Sequence, residues 1–200
     1  HMCIRYSYIS YKIPFAFFFT KSFSVDTIPG ALAPFGLFDP LGLAEKADEN
    51  TLKRYREAEL THGRVGMLAV IGFLVGEKVE GSSFLFDASV KGPAITHFFQ
   101  APTPFWLLLS FGIAKIELDR AQYGWVAPRD APVDQPGLLR ADYTPGDIDF
   151  DPLNLKPTDP EELRILQTKE LQNGRLGMLA AAGFMAQELT DGKGIFEHLA

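Results

Sequence analysis

Two segments of this chain are near copies of each other: E-L-T-H-G-R-V-G-M-L-A at 59–69 and E-L-Q-N-G-R-L-G-M-L-A at 170–180, 111 residues apart. Each runs on into a Gly- and Ala-rich apolar stretch, 70–77 and 181–188. Each opens with a carboxylate (Glu59, Glu170), followed three residues later by an imidazole or amide (His62, Asn173) and five residues later by an arginine (Arg64, Arg175). Such groups are expensive beside apolar surroundings unless they pair or bind something. On a helix Glu59 and His62 share a face, whereas Arg64 lies about 140° round from Glu59 and points at a neighbour. Two helices crossing about an approximate two-fold axis satisfy both copies at once: Glu59 pairs with Arg175 and Glu170 with Arg64. One oxygen of each carboxylate then stays free to ligate a cation. A lone charge at the centre of a bilayer helix costs roughly 2.5–3.5 kcal/mol, and reciprocal pairing removes most of that.

Loop punctuation around these segments predicts three helices. Pro29, Gly30, Pro34, Gly36, Pro40 and Gly42 make 23–43 loop-like. A first helix is expected over 50–79, capped by Asn50 or Thr51, roughly 45 Å long, with only its latter part apolar enough for immersion. The stretch 81–100, with Gly92-Pro93, reads as a connection. Pro104 opens a second helix over 104–120, which is marginal in length for a span. Residues 121–160 form a Pro/Gly/Asp-rich connection with no core of its own. Its tail, F-D-P-L-N-L at 150–155, echoes F-D-P-L-G-L at 38–43 at an offset of 112, so the duplication includes a loop as well as a helix. The third helix is expected over 160–190, with Asp159-Pro160-Glu161-Glu162 as an acidic first turn and an end near Thr190-Asp191-Gly192. The chain therefore divides into an arm, 1–33, and one domain, 34–200.

Composition narrows the class. Seventeen Phe, 18 Gly and 14 Pro against 22% charged residues describe long aromatic-rich connections around a few apolar segments. Mean hydropathy near zero is too low for wholly lipid-facing helices but suits a membrane protein with polar loops and helix ends. A soluble helical domain is the alternative, since no window reaches 18 uninterrupted apolar residues. The net charge of −6, with no Lys/Arg cluster, argues against nucleic acid. Cys3 is the single cysteine, which excludes an internal disulfide and any cysteine-based metal or iron–sulfur site. The first 25 residues hold Arg5, Lys12 and Lys21 but no acid, as in a remnant of a targeting segment or a basic arm lying on a membrane face or a partner.

The free ligand atoms narrow the cation. Zinc asks for three or four grouped ligands, whereas these are strung singly along two helices. Hard Mg²⁺ accepts carboxylate, amide oxygen or imidazole, and the Mg²⁺ of a chlorophyll, with four ring nitrogens already, needs one axial group. A row of isolated ligands beside small residues is what a porphyrin-like macrocycle requires. Gly63, Gly66, Gly72, Gly76, Gly174, Gly177 and Gly183, with Ala69 and 180–182, supply that flat space, and the same residues also allow close helix crossing.

Both copies resemble the first and third transmembrane helices of the light-harvesting chlorophyll-binding antenna superfamily, over about residues 34–192. The phrases at 38–43, 55–63 and 168–187 are most similar to its chlorophyll a/c branch, the fucoxanthin- or peridinin-binding antennae of algae. The resemblance implies an all-α membrane protein of three transmembrane helices, the first and third crossing as a pseudo-two-fold pair. It implies that Glu59, His62, Glu170, Asn173 and Gln187 are axial ligands to chlorophyll magnesium, with Arg64 and Arg175 as the interhelical ion-pair partners. Gly72 lies where the family uses a backbone or water-mediated ligand. Glu117 matches a ligand carboxylate on the second helix, although Glu117 with Arg120 or Lys115 is also readable as a solvated helix end. The amide that some members carry eight residues earlier is replaced by Leu109. His198 matches a terminal-helix ligand, with an exposed tail histidine as the other reading. Asp39, Pro40 and Leu41, and Asp151, Pro152 and Leu153, match positions near the end groups of two central carotenoids. Read locally, each Asp-Pro ends a loop and fixes chain direction.

The implied function is light capture by bound chlorophyll a, chlorophyll c and fucoxanthin-, peridinin- or diadinoxanthin-like carotenoids, with excitation passed to a photosystem and carotenoids quenching triplets. No bond is made or broken, so the chain is not an enzyme. Implied partners are other antenna subunits, thylakoid lipids and a photosystem core, photosystem I being favoured. The implied location is the plastid thylakoid membrane, with the N-terminus and 121–160 stromal and 81–100 and the C-terminus lumenal. The acid-free arm agrees with that side. A photoprotective, energy-dissipating member of the superfamily is the first rival. Glu77, Glu80, Asp87 and His97 are candidates for a lumenal pH switch, against a plainer reading as solvated loop charges. A small membrane transporter using the two Glu–Arg pairs is the rival of a different class, though three short helices leave little room for alternating access. An enzyme finds no support in a G-x-S-x-G elbow or a G-x-x-x-x-G-K-[ST] loop, and the chain has only four His.

Overall fold

The computed structural model describes residues 29–31, 36, 38–80, 90–133 and 137–199. The arm at 1–28, Cys3 and the loop acid Asp87 lie outside the described residues. Within them the chain forms α1 (Glu49–Lys78), α2 (Ala94–Gln100), α3 (Thr103–Gly124), α4 (Pro160–Asp191) and α5 (Ile195–Leu199). An isolated antiparallel bridge joins Trp125 to Leu139.

The helix ends follow local chemistry. Pro160 sits in the first turn of α4, and Asp159 caps it by accepting from the Glu162 N–H at 3.1 Å. At the start of α1 the structure departs from expectation. Asp48 is the N-cap residue, and Asn50, inside the helix, turns its Oδ1 to the Leu139 N–H at 3.1 Å. The amide thus ties the loop after α3 to α1. α3 continues four residues past the expected end, because Arg120-Ala121-Gln122-Tyr123 contain no breaker and Gly124 supplies one.

The cross of α1 and α4 is the frame of the molecule. At its centre the backbones are nearly in contact: a methyl group on Gly63 would lie 3.0 Å from the Gly174 Cα, and one on Gly174 would lie 3.0 Å from the Gly63 Cα. One turn on, Gly66 faces the Met178 backbone and Gly177 the Met67 backbone in the same reciprocal way. The repeated Gly-Arg-x-Gly is therefore the crossing point itself.

At the C-terminal ends of both helices the exchange continues. Glu77 of α1 accepts from the Ile195 and Phe196 N–H groups of α5 at 2.9 and 3.2 Å. Glu188 of α4, 111 residues later, accepts from the Ile95 N–H of α2 at 2.7 Å. Each long helix thus holds the start of the short helix that belongs to the other half. Glu77 is 8% exposed and Glu188 3%, so Glu77 is not the solvated loop charge that the local sequence suggested. His97 is also largely covered, its Nε2 2.7 Å from the Gly92 carbonyl oxygen. Two short helices outside the three predicted from the residues, α2 and α5, explain why these groups are covered.

Apolar residues are arranged inside out. Val65, Leu68, Ile71 and Val75 on α1 are more than half exposed, as are Leu176, Leu179 and Leu189 on α4, whereas glycine and charged pairs occupy the interface. Water does not stabilise such an exterior. α1 is the one helix among the described residues long and apolar enough to cross a membrane by length and composition. Lys115, Glu117, Asp119 and Arg120 lower the apolar character of α3, and Glu170, Arg175, Gln187 and Glu188 that of α4. α3 stands off from the cross. It is tied at one end by Trp106, whose ring centroid is 4.4 Å from that of Phe98 on α2, and at the other by Arg120 bonded to Glu57 of α1. Leu107, Leu108, Phe111 and Ile116 between the ties are exposed.

Candidate functional site

The structure brings the two motif copies together through their charges. Arg64 Nε donates to Glu170 Oε1 at 2.8 Å, and Arg175 Nε donates to Glu59 Oε1 at 2.7 Å. Each guanidinium also reaches a glycine carbonyl in the loop before the opposite helix: Arg64 Nη2 to Gly146 at 2.9 Å, Arg175 Nη1 to Gly30 at 3.1 Å. Both glycines belong to a Pro-Gly pair, Pro29-Gly30 and Pro145-Gly146, upstream of the repeated Phe-Asp-Pro-Leu. That echo is visible in the sequence, but the spacing to Phe-Asp-Pro-Leu differs by four residues, so a fixed-offset comparison passes over it.

The two pairs are not equivalent. Glu170 Oε2 accepts from no described residue, so one ligand oxygen is open. Glu59 Oε2 accepts from Arg56 Nη1 at 2.9 Å. The second copy has Gln167 in place of Arg56, which accounts for the difference. Glu59 is therefore clamped between two arginines, and only its remaining lone pairs are available for ligation.

His62 is exposed on the outer side of α1, with Nδ1 2.7 Å from the Ala58 carbonyl oxygen. That bond places the ring proton on Nδ1 and leaves the Nε2 lone pair free to face outward. Asn173, its counterpart on α4, is likewise exposed, and Gln187 is half-buried near the far end of α4. Neither amide bonds to another described side chain. Gly72 and Gly183, equivalent positions in the two copies, have open space where a side chain would be. Glu117 on α3 is half exposed, with Oε2 2.7 Å from Arg120 Nη1. Arg120 in turn reaches Glu57, so this end of α3 is a bonded junction, unlike a solvated helix end. His198 lies on α5 with Nδ1 3.3 Å from Asp191.

The two Asp-Pro-Leu loops fold alike. Asp39 accepts from the Leu43 and Ala44 N–H groups at 3.0 and 2.7 Å, and Asp151 from the Leu155 and Lys156 N–H groups at 3.0 and 2.8 Å. These bonds hold both carboxyls below the ordinary aspartate range, those from Ala44 and Lys156 contributing most. Gly42 and Asn154, equivalent in the two loops, both adopt left-handed backbone, φ 63° and 51°. Asparagine is the side chain that best tolerates what glycine does freely there. Pro40, Leu41, Pro152 and Leu153 are exposed.

Beside each loop lies a cavity that reaches an ion pair. One, about 450 Å³, is lined by Leu60, Arg64, Phe150, Asp151, Leu166 and Glu170. Its mate, about 340 Å³, is lined by Gly30, Phe38, Arg56, Glu59 and Arg175. A third, about 270 Å³, separates α1 from the start of α3 and is lined by Gly72, Phe73, Gly76, His97, Phe105 and Trp106. The residues that sequence reasoning missed are Arg56, Glu57 and Tyr143. Nothing local marks Tyr143, whose partner lies 86 residues away.

Comparison with known proteins gives a consistent result. Residues 24–189 match the family described as Chlorophyll A-B binding protein. The chain is 51% identical over 178 residues to the light-harvesting complex stress-related protein 3.2, chloroplastic, of Chlamydomonas reinhardtii, covering 86% of this chain and 67% of that one. It is 47% identical over 167 residues to a fucoxanthin-chlorophyll a-c binding protein, chloroplastic, of Isochrysis galbana, covering 82% and 77%. To the photosystem I chlorophyll a/b-binding protein 6, chloroplastic, of Arabidopsis thaliana it is 33% identical over 164 residues, covering 75% and 56%.

Proposed function

The chain belongs to the Chlorophyll A-B binding protein family, and from that membership we propose that it is a thylakoid antenna scaffold that spans the membrane three times, through α1, α3 and α4. Chlorophyll and carotenoid, when bound, supply the light absorption and the transfer of excitation; the chain supplies ligands, spacing and exclusion of water. The observation that carries the reading is a set of ligand atoms left open on an apolar exterior: His62 Nε2, with its other nitrogen tied to Ala58, and Glu170 Oε2, with its other oxygen tied to Arg64.

In this reading Glu59, His62, Glu117, Glu170, Asn173, Gln187 and His198 hold chlorophyll magnesium, and Gly72 provides a backbone or water-mediated position. Arginine pairing orients Glu59 and Glu170, so that the open oxygen of Glu170 and the remaining lone pairs of Glu59 face outward without leaving a bare charge in hydrocarbon. The standing-off of α3 leaves room for flat rings between it and the cross. Asp39-Pro40-Leu41 and Asp151-Pro152-Leu153 hold carotenoid end groups beside the two loop cavities. Likeness to the fucoxanthin-chlorophyll a-c binding protein favours chlorophyll a, chlorophyll c and a fucoxanthin-like carotenoid. Likeness to a photosystem I antenna favours photosystem I as the partner. The chloroplast relatives favour the plastid thylakoid.

A second reading, dissipation of excess excitation, is supported by the 51% identity to a stress-related member. One measurement tests both readings and a second separates them. The purified protein is expected to absorb near 670 nm and 430–460 nm (roughly, as such pigments do) with a carotenoid shoulder; a colourless folded protein sinks both readings. A chlorophyll fluorescence lifetime that stays long as pH falls supports harvesting, and one that shortens sharply supports dissipation.

A further inference from the structure

Glu57 lies two residues before the proposed ligand Glu59, on the buried side of α1, and is 2% exposed. A carboxylate so buried requires full compensation, and three donors, one on α3 and two in the loop after it, supply it. Arg120 Nε of α3 donates to Oε1 at 2.6 Å, while the Tyr143 hydroxyl and the Gly146 N–H donate to Oε2 at 2.9 and 2.6 Å. Burial first, and Glu57 second, push the Tyr143 phenol up, so it remains a donor. The repeat is broken at this position: the second copy has Thr168, half-buried and bonded to the Arg164 carbonyl within its own helix. There is one α3 and not two, and the acid sits in the copy that faces it.

From Glu57 the contacts run outward to two proposed ligands. Arg120, held by Glu57, donates through Nη1 to Glu117 at 2.7 Å. Gly146, held through its N–H by Glu57, accepts at its carbonyl from Arg64 at 2.9 Å, and Arg64 holds Glu170 at 2.8 Å. Glu59 is held separately, by Arg175 and Arg56.

We propose that Glu57 is the positioning residue for the pigment sites of α3 and α4 together: it fixes Glu117 through Arg120 and Glu170 through the Gly146 peptide and Arg64, and leaves the Glu59 and His62 sites outside its reach. This rests on the pigment-ligand reading above. Outer-shell partners of metal ligands are worth roughly 10–100-fold in ligand affinity, and one residue here serves two ligands on two helices.

The test is reconstitution of the full chain with chlorophyll a, chlorophyll c and fucoxanthin, followed by absorption difference spectra and pigment counts. Glu117→Ala, Glu170→Ala, Glu59→Ala and His62→Ala each define one site's band. Glu57→Gln, which keeps the shape and removes the charge, is expected to weaken the Glu117 and Glu170 bands together, by about 10-fold in pigment retention, and to spare the Glu59 and His62 bands. Uniform loss over all four sites, as a general loss of stability gives, overturns the proposal; so does retention of both target bands. Where Glu57→Gln fails to refold, Tyr143→Phe, which removes one of the three donors, is expected to shift the same two bands without loss, and unshifted bands overturn the proposal. If Glu117→Ala and Glu170→Ala themselves shed no pigment, it is the ligand reading that falls.

Discussion

Glu59 and Glu170 occupy the same position in the repeat, yet their removal should not cost the same. Glu170→Ala strands one guanidinium, Arg64, which keeps the Gly146 carbonyl. Glu59→Ala strands two, since both Arg175 and Arg56 lose their carboxylate. Breaking a buried pair by deleting one partner costs about 3–5 kcal/mol; the pairs here are part-exposed at the protein surface, so the lower end is expected, with Glu59→Ala the more severe. Thermal unfolding of the pigment-loaded protein checks this, and equal loss in the two variants counts against the double clamp. His62→Ala removes an imidazole that carries no membrane charge when neutral and bonds only to its own helix. It should lose about one chlorophyll with the fold retained. An unchanged pigment count by chromatography returns His62 to the role of an ordinary helix-surface residue.

At the scale of elements, the Asp-Pro-Leu loops are the most self-contained pieces, and they yield two expectations. Asn154→Val puts a β-branched residue at φ 51°, which should cost roughly 1–2 kcal/mol, whereas Asn154→Gly should be tolerated. The second concerns acid. A carboxyl held below its ordinary value of 3.8 contributes stability that is present above that value and is lost only as pH falls through the lower, folded one. Between about pH 7 and about pH 5 the caps from Asp39 and Asp151 should therefore hold. Amide protection factors at Leu43, Ala44, Leu155 and Lys156 measure it, and a collapse of protection within that range refutes it. The sequence carried these loops, the crossing helices and the acidic start of α4 because each is written in local repeats and breakers. No local pattern marked α2 or α5. Their starts are capped by Glu77 and Glu188 from distant helices, and that pairing exists only after the cross has formed. For the same reason Glu77 reads as a loop acid locally and is buried in fact, and Tyr143 passes unmarked.

Across the whole molecule, the direction of the chain follows from which ends meet. The loop with Tyr143 and Gly146 bonds to the N-terminal half of α1, and α5, which follows α4, bonds to the C-terminal end of α1. α1 and α4 therefore run the same way. α3 returns between them, from Trp106 beside α2 to Arg120 beside Glu57. Between those ties it packs closely against no other described helix, so little of its position is determined by protein packing, and in the antenna reading bound pigment fills that gap. The same layout separates two exposed basic residues on opposite ends of the bundle. Arg129, in the loop after α3, has a side chain 90% exposed, and Lys91, just before α2, is exposed at the other end. If α1, α3 and α4 span the thylakoid with the loop after α3 on the stromal side, trypsin added outside sealed thylakoids should cut at Arg129 and spare Lys91 until the membrane is opened. Cutting at Lys91 with Arg129 protected reverses the orientation. Cutting at both in sealed vesicles removes the three-span arrangement, because an odd number of crossings is what keeps those two residues on different sides.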